Sequence, residues 1–104
     1  MAYTEGGEIE IIEDPQETVV KIHVRFTAKQ MHAIDRLKPS SNPAHRFVVD
    51  LSTTRFLDSS GMGFMLRLRE QVEGSAHNLR IRGASAEMRQ LLEAAQFNRL
   101  FKIE

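Results

Sequence analysis

The sequence predicts one α/β domain built on a mostly parallel sheet, in the order β-β-α-β-α-β-α-β with an antiparallel N-terminal hairpin strand. Three observations carry that class. Short β-branched runs alternate with segments whose apolar residues recur at helical spacing, the pattern of strands joined by right-handed helical crossovers. Two adjacent strand patterns near the start are joined by a proline turn, which makes a hairpin. The chain has 104 residues, the length of one domain, and a domain of this size buries roughly two-thirds of the surface its unfolded chain exposes.

Each element follows from local chemistry. Residues 1–7 are small and polar and are expected to be disordered, leaving 8–104 as the folded domain. Glu8-Ile9-Glu10-Ile11-Ile12-Glu13 alternates acidic and apolar residues, which predicts a strand with one wet face. Asp14-Pro15-Gln16-Glu17 is a turn, because proline fixes the φ that the second turn position requires. Residues 18–26 form the next strand, with Val20, Ile22, Val24 and Phe26 on one face and Lys21, His23 and Arg25 on the other. Thr27 is positioned to cap a first helix whose apolar side is Ala28, Met31, Ile34 and Leu37, and Pro39 ends it. Residues 38–45 carry two prolines and small polar residues and are a loop.

Phe47 to Leu51 is apolar enough to be a central strand. A second helix starts near Asp58 or Ser59 and runs to about Glu73, with Gly74 as its stop. Its inner side is read as Met62, Met65, Leu66, Arg69 and Val72, broadened by Phe64 and Leu68. Residues 78–82 are a fourth strand with Leu79 and Ile81 pointing one way. Ser85 caps a third helix with inner face Met88, Leu91, Leu92 and Ala95, and residues 100–103 make a short last strand. No internal repeat, low-complexity tract or interdomain linker interrupts this order.

Composition narrows the function. Lys and Arg together number 14, as do Asp and Glu, so the net charge is zero, which argues against nucleic acid or an anionic membrane surface as a partner. The absence of cysteine removes disulfides and thiolate chemistry and fits a reducing compartment. No apolar run approaches a membrane span and the first residues lack a signal-peptide pattern, so the expected location is cytoplasmic.

The most informative stretch is Arg46-Phe47-Val48-Val49-Asp50-Leu51 followed by Phe56-Leu57-Asp58-Ser59-Ser60-Gly61-Met62-Gly63. It reads as a strand, a turn and a helix N-terminus, where unpaired N–H groups and the helix dipole stabilise negative charge. A hydroxyl there can receive and hold a phosphate, which suggests a switch more than a catalyst. Asp58 has two compatible readings, a cap accepting N–H bonds from Ser60 or Gly61, and a group that places the serine hydroxyl or a metal in a kinase site. Gly61 and Gly63 weaken a helix unless another backbone or a phosphate comes close.

Other constellations are weaker. His23, His32, His45 and His77 have no ligand spacing and read as surface positions. Asp50 and Asp58 could meet and bind Mg²⁺ weakly, but a polar strand end explains Asp50 equally well. Glu8, Glu10 and Glu13 read as a solvated face. Arg67, Arg69, Arg80 and Arg82 read as salt-bridged surface. No phosphate-binding loop with its lysine, no serine triad and no nucleophile elbow is present.

The segments Val48-Val49-Asp50-Leu51-Ser52 and Phe56-Leu57-Asp58-Ser59-Ser60-Gly61-Met62-Gly63, with this element order, resemble the STAS domains of bacterial anti-sigma factor antagonists. The resemblance covers nearly the whole chain. It implies a binding protein and not an enzyme, without cofactor or metal, that touches no nucleic acid directly and inserts into no membrane. The unphosphorylated form would bind a serine kinase that is also an anti-sigma factor. That kinase would phosphorylate the serine after the aspartate, here Ser59, and a PP2C-type phosphatase would restore it. The partner face would comprise Asp58, Ser59, Ser60, Gly61, Met62 and Gly63, with Thr27 and Ala28 beside them. The chain departs from the family at Val24-Arg25-Phe26-Thr27-Ala28-Lys29-Gln30, where many antagonists carry Gly-x-x-Asp. The same resemblance allows an alternative, a STAS subunit of a lipid ABC transporter or a stress-sensing complex, with Ser59 as a contact residue.

Overall fold

A computed structural model describes residues 2–5, 9–23, 35–38, 40–72 and 78–104. The first-helix expectation, Thr27 and Ala28 with it, lies outside these residues, as do the end of the second strand, His32, His77 and Gly74. Six strands form one sheet in the order of the chain: β1 (Ala2–Glu5), β2 (Ile9–Glu13), β3 (Glu17–Ile22), β4 (Arg46–Asp50), β5 (Leu79–Arg82) and β6 (Lys102–Ile103). The pairs β1–β2 and β2–β3 are antiparallel, and β3 to β6 run parallel. Helix α1 (Ser59–Gln71) joins β4 to β5. Helix α2 (Ala86–Ala94) and a 3₁₀ turn (Phe97–Arg99) join β5 to β6. The α/β class and the mixed sheet agree with the sequence reading. Among the described residues, no helix is long and apolar enough to cross a membrane.

Register explains the core. Ile11, Val20, Val49, Ile81 and Ile103 are successive cross-strand partners, one apolar row across five strands. Phe64, Met65, Leu68 and Val72 of the α1 segment and Met88 and Leu92 of α2 belong to the same buried cluster, with Leu37, Phe97 and Phe101. The Phe97 and Phe101 rings stack with centroids 5.8 Å apart. The next row alternates charge instead: Glu10, Lys21, Asp50 and Arg82 are partners in turn.

The hairpin turn is built from Asp14. Its N–H donates to Glu17 O at 2.9 Å, and its Oδ1 accepts the Gln16 and Glu17 N–H groups at 2.7 and 2.8 Å. Those bonds, Gln16 first, hold the Asp14 carboxyl below its ordinary pKa. Behind the turn lies His45, which is buried and not a surface residue as expected. Its Nδ1 lies 3.2 Å from Pro15 O and its Nε2 2.9 Å from Thr18 Oγ1. A carbonyl only accepts, so Nδ1–H donates to Pro15 and the Thr18 hydroxyl donates to Nε2 in the neutral ring.

Four boundaries differ from the sequence reading. Ala2–Glu5 is a strand and not disordered; it pairs β2, which would otherwise expose an unpaired edge. Strand β3 ends at Ile22, with His23 outside it. Helix α1 ends at Gln71 with Val72 as its cap, and Leu66 faces outward. Leu91 and Ala95 are exposed, so α2 buries only Met88 and Leu92. The chain then turns at Gln96, φ 62°, into the 3₁₀ turn, and this delays the last strand to Lys102.

Candidate functional site

The site sits at the carboxyl ends of the parallel strands, where the loops after β3, β4 and β5 lock together. Leu51 N–H donates to Arg82 O at 2.9 Å, continuing the β4–β5 ladder past the strands. Thr54 Oγ1 donates to Ile22 O at 2.7 Å, and Thr53 Oγ1 lies 3.3 Å from the same oxygen and 3.0 Å from His23 Nδ1. Both threonines therefore tie the β4–α1 loop to the end of β3. Gly83, φ +77°, closes the other side; a Cβ there would stand 2.8 Å from Ser52 N. Only glycine accepts that angle and that approach without strain.

Asp50 belongs to this framework. Its Oδ1 accepts Ser52 N–H at 2.8 Å and its Oδ2 lies 3.3 Å from Arg82 Nε. Burial raises its pKa, but the bonds from Ser52 and then the Arg82 bond and charge outweigh burial, so the carboxyl stays below its ordinary 3.8. Among the described residues, no three His, Asp or Glu side chains are grouped to hold a metal ion. The arginine reading is mostly met: Arg67 pairs Asp35 at 3.6 Å, Arg80 pairs Glu104 at 3.5 Å and Arg82 pairs Asp50.

On this framework α1 begins. Asp58 is extended, with φ −118° and ψ −172°, and its Oδ1 accepts Gly61 N–H at 3.0 Å. Its carbonyl accepts Met62 N–H at 3.0 Å, the first turn of the helix. Ser59 and Ser60 thus occupy the first two helical positions, where N–H groups have no intrahelical acceptor. Asp58, Ser59 and Ser60 are exposed. Among the described residues neither serine hydroxyl has a hydrogen-bond partner. Met62 and Gly63 are half-buried and Gly61 is buried, so Gly61 lies beneath this surface. A Cβ on Gly63 would meet nothing within 4 Å.

A cleft of about 570 Å³ lies against the loop that leads into this helix. Arg55, Phe56 and Leu57 form one wall, and Ser85, Met88 and Leu91 stand on the other. Ser85 caps α2 by accepting Met88 N–H at 3.1 Å, so the cleft lies beside the N-termini of two helices, each following a parallel strand. Phe56 is 63% exposed and Leu91 42%. Sequence reasoning missed this wall. Phe56 passed as part of a motif, and the 88, 91, 92, 95 spacing assigned Leu91 to the core.

A family model described as "Mlab, STAS domain" matches residues 9–103. The chain belongs to the STAS domain family. A STAS-domain containing protein of Pseudomonas aeruginosa (strain UCBPP-PA14) is 33% identical over 91 residues, 86% of this chain and 90% of that protein. The crystal structure of an anti-sigma factor antagonist from Mycobacterium paratuberculosis superposes with a TM-score of 0.72 at 18% identity, covering 91% of this chain and 82% of that one. That likeness is one of fold. In this STAS domain the Asp58-Ser59 pair stands at the end of the loop that the Ser52, Thr53 and Thr54 contacts hold in place.

Proposed function

We propose that this STAS domain is a partner-switching regulator of the anti-sigma factor antagonist type. Its unphosphorylated form binds a serine kinase that doubles as an anti-sigma factor. Phosphorylation of Ser59 ends that complex, and a PP2C-type phosphatase resets it. One observation carries the reading: an exposed serine hydroxyl, unpartnered among the described residues, at the first position of α1, directly after its capping aspartate. The domain is then a substrate and a ligand, not an enzyme. Among the described residues, no base is hydrogen-bonded to Ser59. The work takes place in the cytoplasm, where the kinase meets ATP.

Charge explains why the switch acts on the interface. Phosphate adds close to two negative charges at neutral pH. At the start of α1 the dipole and the free N–H groups of Ser59 and Ser60 accept that charge, so the fold survives. Against a partner surface fitted to Asp58, a neutral serine, Met62 and the Phe56–Leu91 cleft, the same charge is repelled or left unpaired. The proposed face takes in Ser60 and Gly63 and extends to Thr27 and Ala28, which follow β3 in the chain. The fold likeness to the Mycobacterium paratuberculosis anti-sigma factor antagonist supports this reading.

A second reading keeps the face and drops the switch. The segment after β3 lacks the Gly-x-x-Asp pattern, and the matching family description names Mlab and not an antagonist. Both favour a constitutive subunit, as in lipid transporters, with Ser59 as a contact. Calorimetry of Ser59→Asp against the candidate kinase separates the two. Loss of affinity with an unchanged melting temperature is expected; unchanged affinity refutes the switch.

A further inference from the structure

We propose that this domain carries a second binding site, an anion pocket for a phosphate-bearing small ligand, at the end of the fold opposite Ser59. The pocket lies where α1 finishes and where β5 and β6 begin, and its volume is about 480 Å³. Arg69, Arg99 and Lys102 line it, with the Asn98 amide, Leu79 and Phe101. Among the described residues, no carboxylate lines it. In a chain of zero net charge, three cations gathered with no carboxylate partner among the described residues are a local concentration of positive charge.

Five arginines elsewhere differ, while Arg55, in the loop before α1, also reaches no carboxylate among the described residues. Arg46, Arg67, Arg80, Arg82 and Arg89 each reach a carboxylate oxygen at 3.3 to 3.7 Å. Arg69, Arg99 and Lys102 reach none among the described residues. Arg69 shows why solvent alone does not explain the cluster. Its Nε, like that of Arg80, is shielded from water and donates to no acceptor among the described residues, but Arg80 still pairs Glu104 through its Nη1. A buried donor without a partner is costly, and an oxygen entering the pocket would relieve it. The last turn of α1 tolerates the Arg69 charge through the helix dipole.

The lining selects the ligand class. Guanidinium groups bind phosphate oxygens through paired N–H bonds, lysine adds a point charge, and asparagine adds a neutral donor. Three cations suit a group with two or three negative charges, a phosphomonoester or diphosphate. Leu79 and Phe101 offer an apolar wall to the organic part. Such a group can come from a soluble phosphorylated compound or from an anionic lipid headgroup. The site shares no residue with the Ser59 face.

The test titrates the full chain with inorganic pyrophosphate, followed by amide chemical shifts and calorimetry. A parallel arm measures co-sedimentation with phosphatidate vesicles against phosphatidylcholine vesicles. Saturable binding that shifts residues 69 and 98–102, and weakens about tenfold in Arg69→Gln, is expected for a soluble ligand. Sedimentation with phosphatidate alone, lost in the same variant, supports the lipid source. Arg67→Gln and Ser59→Ala should leave binding unchanged. Arg99→Gln and Lys102→Gln, both at exposed positions, carry the test if Arg69→Gln does not fold. No saturation by about 10 mM pyrophosphate together with no selective sedimentation overturns the proposal. Binding that none of the three variants weakens overturns it too.

Discussion

Replacing Gly63 with alanine should stabilise the free domain while harming its complex. Gly63 lies inside α1, past the first turn, with none of the positive φ that would forbid a side chain. Glycine at a helix interior costs roughly 0.5–1 kcal/mol relative to alanine, through the backbone freedom it loses on folding. The added Cβ would meet nothing within 4 Å, so no steric term offsets that gain. For a domain of about this size, 1 kcal/mol moves the melting temperature by roughly 4–8 °C. The expected rise is therefore about 2–8 °C, read by calorimetry or circular dichroism. Gly63→Arg should also fold, and should abolish binding of the proposed kinase partner because the long side chain would project into the proposed docking face. A lower melting temperature for Gly63→Ala would refute the argument, since it would mean that the space is already filled. Full partner affinity in Gly63→Arg would refute the docking face.

Ser59→Asp should change stability by only about 0.3–1 kcal/mol, and favourably, because its carboxylate sits at the positive end of α1; a large loss of melting temperature would contradict that. Gly83→Ala should cost about 1–3 kcal/mol in urea unfolding, because φ +77° strains alanine and its Cβ would press on Ser52 N. A change within about 0.5 kcal/mol would show that the loop yields freely. Asp50 should contribute to acid sensitivity. Its folded pKa lies below the ordinary 3.8, so its contribution is present above that value and is lost as pH falls through the folded pKa. Asp50→Asn should lower stability near neutral pH by about 0.5–1.5 kcal/mol and flatten the acid limb of the stability curve. An unchanged acid limb would assign that sensitivity elsewhere.

The alternation of strand and helix was legible because period 2 and period 3.6 are set by local geometry. The row Ile11, Val20, Val49 and Ile81 could be read as apolar faces before their register was known. The Asp58 and Ser85 caps were legible for the same reason, since a cap bond spans three residues. What escaped the reading depends on partners distant in sequence. His45 is buried because Thr18 and Pro15 close over it from the hairpin. Gly83 matters because Ser52 approaches it from another loop. Ala2–Glu5 is a strand because β2 offers an edge. Leu91 has core spacing but opens onto a cleft whose other wall, Phe56, lies more than thirty residues earlier.

The most direct measurement is site-resolved mass spectrometry of this protein after incubation with candidate serine kinases and ATP, alongside Ser59→Ala and Ser60→Ala. Phosphate on Ser59 in the wild type and in Ser60→Ala, with none on Ser59→Ala, is the predicted result. Phosphate on Ser60 alone, or stoichiometric labelling of Ser59→Ala, would contradict it.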